Sequence, residues 1–191
     1  MRIGLFFGSF NPIHTGHCII ANFILANTKL EQIWFIVSPQ NPLKSSSGLL
    51  NEYHRLHLVQ LAIEGESKLR VNDIEFRLPK PSYTVDTLSF LTEKYPLQTF
   101  SIIIGSDSFK NLPKWKNYSH IIQHYPLFIY MRPGNEIIVD YPEADITILK
   151  SPLLEISATL IRDNIKQGKS IRYLVPDKVL EEIDRNGYYR N

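Results

Sequence analysis

Two histidines three residues apart, His14 and His17, close the stretch Gly8-Ser9-Phe10-Asn11-Pro12-Ile13-His14-Thr15-Gly16-His17. The apolar run Ile3-Gly4-Leu5-Phe6-Phe7 precedes that stretch, and apolar residues at helical spacing follow it. The pattern is therefore strand, glycine-opened loop, helix. A helix start of this kind presents unpaired backbone N–H groups, and its dipole favours an anion there. Gly16 keeps the turn bare, so a bulky ligand can approach the backbone. Each piece has a plain structural explanation on its own; the order in which they occur points to phosphate chemistry. A second helix start lies near the other end, in Pro152-Leu153-Leu154-Glu155-Ile156-Ser157-Ala158-Thr159-Leu160-Ile161-Arg162. Ser157 suits an N-cap, Thr159 sits in the first turn and Arg162 one turn further on.

Other chemistry-bearing residues are weaker signals. Cys18 is the single cysteine, which excludes an intramolecular disulfide and a cysteine-rich metal site. It sits in an apolar helical run and reads as a core residue rather than a nucleophilic thiol. His54 and His57 have a spacing that could mimic a metal site, but no third ligand is near them in the sequence. No G-x-G-x-x-G follows the first strand, which argues against a dinucleotide redox enzyme.

The elements that must position these residues alternate. The helix after the histidines runs to about Asn27, and Ile33 to Val37 reads as a buried strand. A turn-rich loop from Ser38 to Gly48 follows, then a helix capped by Asn51, then a short strand over Arg70 to Ile74. Ser82 or Thr84 opens the next helix, which Pro96 stops. Thr99 to Ile104 is the strongest later strand; short helices follow it around Phe109 to Leu112 and Trp115 to Ile122. Pro126 to Tyr130 and Ile146 to Leu149 complete the strands, and from Ser157 the pattern is helical, broken at Gly168. Strands that are near-continuous apolar runs between helices predict an α/β, Rossmann-like, doubly wound parallel sheet with helices on both faces. The expectation is one domain over residues 1–191 with a C-terminal helical part from about 157. Ligands bind such sheets at the carboxyl ends of the strands, which singles out the loops after residues 7, 37, 104 and 149.

Composition sets the outer limits. The chain has 191 residues, 43% hydrophobic and 21% charged, with a formal net charge of +2. That charge is too small for a nucleic-acid groove or membrane adhesion, so phosphate recognition must be local. No secretory segment and no apolar stretch of ~20 residues is evident, so a soluble cytoplasmic protein with no membrane partner is expected.

The stretch over residues 8–17 resembles the G-[ST]-F-D-P-x-H-x-G-H signature of the His-x-Gly-His nucleotidyltransferases. Residues 156–162 resemble their I-S-x-T-x-I-R motif. Asn11 departs from the pattern, standing where the family more often carries aspartate. Arg77 to Leu88, with Pro81-Ser82-Tyr83-Thr84-Val85-Asp86-Thr87-Leu88, and Gly105 to Trp115 are similar to segments of nicotinate-nucleotide adenylyltransferases. Pro39 to Lys44, Arg55, Arg132-Pro133-Gly134 and Tyr173 to Pro176 match further positions, so the likeness spans residues 3 to about 184.

The resemblance implies transfer of AMP from ATP to nicotinate mononucleotide, giving deamido-NAD and pyrophosphate. It places ATP against Gly8, Ser9, Phe10, His14, His17, Gly105, Asp107, Ile156, Ser157, Thr159 and Arg162. It places nicotinate mononucleotide against Ser9, Lys44, Tyr83, Thr84, Asp107 and Trp115. His17, His14, Lys44 and Arg162 would be the catalytic set, with His17 contributing most. Magnesium would be carried by ATP without a dedicated protein site. Arg55 and Arg77 would be structural or peripheral. The competing readings are nicotinamide mononucleotide or phosphopantetheine as acceptor, or a nucleotide-binding regulatory module without chemistry. Monomer and homo-oligomer both remain open.

Overall fold

The computed structural model describes residues 1–40, 48–152 and 155–190. Six strands form one sheet among them: β1 (Arg2–Gly8), β2 (Gln32–Val37), β3 (Leu69–Asn72), β4 (Thr99–Gly105), β5 (Leu127–Tyr130) and β6 (Ile146–Leu149). All pairings are parallel, in the order β3-β2-β1-β4-β5-β6. The order reverses between β1 and β4, where Phe6 pairs with Phe35 on one side and Ile103 on the other. The doubly wound parallel sheet expected from the apolar runs is the one observed.

Those runs are continuous because both faces of the sheet are covered, while the side chains still alternate between two cores. Phe6, Ile33, Phe35, Val37 and Ile103 enter one apolar layer. Leu5, Trp34, Ile36, Ile102 and Ile104 enter the other. Four helices supply the first layer: α1 (Thr15–Asn27), α2 (Glu52–Ala62), α6 (Ala158–Lys166) and α7 (Asp177–Asn186). The second is built from α3 (Thr84–Lys94), the single-turn α4 (Ser106–Phe109) and α5 (Tyr118–His124). No helix among the described residues is long and apolar enough to cross a membrane.

Two predicted caps are present. Asn51 Oδ1 accepts the Tyr53 amide at 2.9 Å, and Ser157 Oγ accepts the Leu160 amide at 3.2 Å. The start of α3 resolves the ambiguity between Ser82 and Thr84. Ser82 lies before the N-cap position, which is Tyr83; its hydroxyl donates to the buried Glu75 carboxylate at 2.6 Å, and the helix opens at Thr84. Gly168, at φ +67°, makes the break after α6, where an L side chain would be strained.

Candidate active site

The carboxyl ends of β1 and β4 open into a cleft at the point where the strand order reverses, the position where doubly wound sheets bind ligands. The β1 end supplies Gly8, Ser9 and Phe10, then His14 just before α1 and His17 within its first turn. Phe10 is buried at φ +46° and packs its ring under Gly8, so closely that a Cβ there would lie 2.8 Å from Phe10 Cζ. The same ring stands edge-on to His17 at 5.1 Å, so Phe10 shapes the loop and backs the histidine.

His14 and His17 stack with centroids 3.7 Å apart. The His14 amide donates to His17 Nδ1 at 3.3 Å, which in a neutral ring puts the proton on Nε2. The His17 amide turns back toward the His14 ring in a capping-box arrangement, but its hydrogen bond goes to the His14 carbonyl at 2.9 Å. His14 Nδ1 is buried with no partner of hydrogen-bond geometry. Burial, then the nearby Arg132 charge, lowers the pKa of His14 to about 4, so the ring is neutral at physiological pH. Cys18 is pushed up to about 11 by burial, which keeps the thiol protonated and supports its reading as a packing residue.

The C-terminal motif meets this loop directly. Arg162 donates from Nη1 to the Asn11 carbonyl at 2.7 Å and from Nη2 to Thr159 Oγ1 at 3.3 Å. Ile156, Ser157 and Thr159 line the cleft beside it. Asn11 uses both ends of its amide: Nδ2 donates to the Gly48 carbonyl at 3.0 Å, and Oδ1 accepts the Leu50 amide at 3.1 Å. A carboxylate could accept from Leu50 but has no proton for Gly48, so asparagine here is matched to the loop it holds.

Across the cleft, β4 delivers Gly105 at its end and the α4 turn that follows delivers Asp107. Asp107 Oδ1 lies 3.3 Å from Arg132 Nε, and a Cβ on Gly105 would sit 2.5 Å from that oxygen. Glycine is required by close approach. The pyridine-side residues inferred from sequence, Tyr83, Thr84 and Trp115, line the other end of the same cleft. Trp115 is half-buried, and it also packs against the core. Of the predicted site, only Lys44 falls outside the described residues.

Two residues that the sequence reading named without a site role matter here. Arg132 follows β5, a strand end left out of the loops singled out above. It donates to the Tyr130 hydroxyl at 2.9 Å, pairs with Asp107 and lines the cleft beside His14. Arg55, read as structural or peripheral, is fully buried. Its guanidinium donates to the carbonyls of Ser9, Ser38, Pro39 and Leu50, joining the β1 loop to the segments on either side of residues 41–47. The metal-like spacing of His54 and His57 has a packing explanation. His54 Nδ1 lies 2.9 Å from the Tyr188 hydroxyl, and His57 Nε2 lies 3.6 Å from Glu182 of α7.

Comparison with known proteins bears on the family and the fold. A family model described as cytidylyltransferase-like matches residues 5–164. A probable nicotinate-nucleotide adenylyltransferase of Cytophaga hutchinsonii is 50% identical over 191 residues, covering 100% of both chains. One from Flavobacterium psychrophilum is 48% identical over 192 residues, also covering 100% of each. Among solved structures, Plasmodium falciparum nicotinic acid mononucleotide adenylyltransferase complexed with NaAD superposes with a TM-score of 0.82 at 20% identity. That likeness covers 98% of this chain and 97% of that one, and it bears on the fold. The chain therefore belongs to the cytidylyltransferase-like nucleotidyltransferases and, within them, to the nicotinate-nucleotide adenylyltransferase family.

Proposed function

We propose that this enzyme joins ATP to nicotinate mononucleotide by direct in-line transfer, releasing deamido-NAD and pyrophosphate. The observation that carries the reading is the cleft itself. One end gathers two helix starts, two imidazoles and two arginines suited to a triphosphate; the other gathers an indole, a tyrosine and the start of α3, suited to an acidic pyridine. An oxygen of the mononucleotide 5′-phosphate attacks the α-phosphorus of ATP, and the bond to the β-phosphate oxygen breaks. The nucleophile is already anionic at neutral pH, so no general base is needed, and no proton has to move. Catalysis rests on positioning and on stabilising charge as pyrophosphate leaves.

In this mechanism His17 Nε2–H donates to an α-phosphoryl oxygen, and a neutral His14 offers a hydrogen bond to the triphosphate rather than a charge. Arg162 and the Ser157-Thr159 helix start receive the β- and γ-phosphates; Lys44 neutralises the attacking phosphate. Asp107 serves the nucleotide sugar, held at the right height by Arg132. The donors around the triphosphate end are imidazoles, hydroxyls and guanidiniums; of its two carboxylates, Asp107 is engaged by Arg132 and Glu155 is exposed, and no metal-holding cluster forms among the described residues. That set suits magnesium brought in by ATP rather than a resident ion; bound with ATP, it would supply charge neutralisation beside the Ser157-Thr159 helix start and Arg162.

The test is pyrophosphate release with ATP and magnesium on nicotinate mononucleotide, nicotinamide mononucleotide and phosphopantetheine in parallel. A kcat/KM at least about tenfold higher for the acid is expected, the size of one well-placed polar discrimination. Equal rates on acid and amide would retain the reaction and remove the acid preference. Binding of ATP without pyrophosphate release from any acceptor would refute adenylyl transfer.

A further inference from the structure

The far end of the cleft carries an ion pair that the mechanism above does not use. Lys116, immediately after Trp115, lines the cleft together with Tyr83 and Thr84. Its ammonium lies 2.9 and 3.1 Å from the two carboxylate oxygens of Asp86 and 4.8 Å above the Tyr83 ring. Asp86 belongs to the first turn of α3, two residues beyond Thr84. An acid in the first turn of a helix is ordinary, and an exposed ion pair ordinarily adds little stability. The location is what gives this pair a consequence. Lys116 lines the cleft and holds Asp86 at 2.9 Å, so a carboxylate that docks against Tyr83, Thr84 and Trp115 shares its surroundings with a fixed negative charge beside the cleft, and the two would repel.

We propose that Lys116, in the wall of the cleft, sets the preference for a carboxylate-bearing substrate over its carboxamide analogue by neutralising Asp86 behind it. The inference rests on the reading of the acceptor given under Proposed function. The other acid on this side, Glu75, is buried, and its oxygens accept from Ser82 and Thr87 at 2.6 and 2.9 Å. Lys80 is engaged by Glu52 at 2.7 Å. Lys114 also lines the cleft, but Lys116 is the lysine held over Asp86 and Tyr83. A carboxamide has no net charge and is largely indifferent to the exchange of Lys116 for a neutral side chain, whereas a carboxylate is not. The pair therefore acts on the ratio between the two substrates.

The experiment measures kcat/KM for nicotinate mononucleotide and for nicotinamide mononucleotide in the parent enzyme, Lys116→Met, Asp86→Asn and the double variant, with the KM for ATP as a control for an intact triphosphate end. Lys116→Met is expected to lower the acid-to-amide ratio about fivefold or more, the effect of exposing one charge to another in partly solvated surroundings. Adding Asp86→Asn is expected to restore the ratio to within about twofold, because the repelling charge has gone. An unchanged ratio in Lys116→Met overturns the proposal, and so does a double variant as poor as the single one. A parent enzyme with no acid preference would overturn the reading of the acceptor, and this inference with it; a parent that prefers the acid while the variants keep its ratio removes this inference alone.

Discussion

His17 accepts the His14 amide and is backed by Phe6 and Phe10, so its position is set from three sides before any substrate contact. A donor held that rigidly and aimed at developing charge is worth on the order of 10²–10³ in turnover. His17→Ala is expected to fold, to retain ATP binding, and to lose kcat by that range; near-normal kcat in a folded variant would remove His17 from the mechanism. His14 makes a different prediction. Its native pKa of about 4 lies below the ordinary value of 6.5, so between those pH values the unfolded chain takes up a proton that the folded ring refuses. Stability is unaffected above pH 6.5 and falls as pH drops toward 4, by about 3 kcal/mol when the window is crossed. Urea denaturation at pH 7 and pH 4.5 should show a smaller acid-side loss in His14→Gln than in the parent. Gly105→Ala should raise the KM for ATP severalfold, because the added methyl would collide with Asp107 and Arg132 and part their ion pair. Unaltered KM in the variant would show that the pair is not needed at the sugar.

Among elements, α2 has the largest unseen duty. Arg55 projects from it and gathers carbonyls of three chain segments that no regular structure pairs. Arg55→Met would leave these acceptors unsatisfied and is expected to cost on the order of 3 kcal/mol, read by chemical denaturation, with Arg55→Lys recovering part. Equal stability in Arg55→Met would show that water replaces the guanidinium. Such a role was not legible in the sequence, because the partners are backbone atoms and any residue supplies a carbonyl. Arg132 was hidden for a related reason: its partnership with Asp107 requires that β4 and β5 be neighbours, which strand order reveals and sequence distance does not. The strands themselves were legible, since burial on both faces forces unbroken apolar runs such as Ile33 to Val37 and Ile102 to Ile104. The two helix starts that line the cleft were legible for the opposite reason: each concentrates hydroxyl and basic residues within one or two turns, with glycines as well in the first, so the chemistry is local.

At the scale of the molecule, the cleft is assembled from both ends of the chain. Arg162 reaches the Asn11 carbonyl across 151 positions of sequence. Beyond α6, the Leu174 carbonyl accepts the Thr15 amide at 2.9 Å and the Tyr173 carbonyl accepts its hydroxyl at 3.2 Å, so the first turn of α1 is held by a turn that precedes α7. Buried Val179 and Ile183 then place α7 in the apolar layer shared with α2. Ending the chain after Ser170 should therefore abolish cooperative unfolding or lower the denaturation midpoint sharply, and Thr15→Val should cost on the order of 1 kcal/mol. A truncated chain that unfolds like the parent would show that the turn is ornamental. The dependence of α1 on Leu174 also has a meaning in time. A ribosome adding residues at about 5–20 per second makes the histidine loop first and reaches Leu174 roughly eight to thirty seconds later. Throughout that interval the nascent chain has its histidine loop but not the carbonyls that steady it, so the first turn of α1 gains its support only after Leu174 has been made.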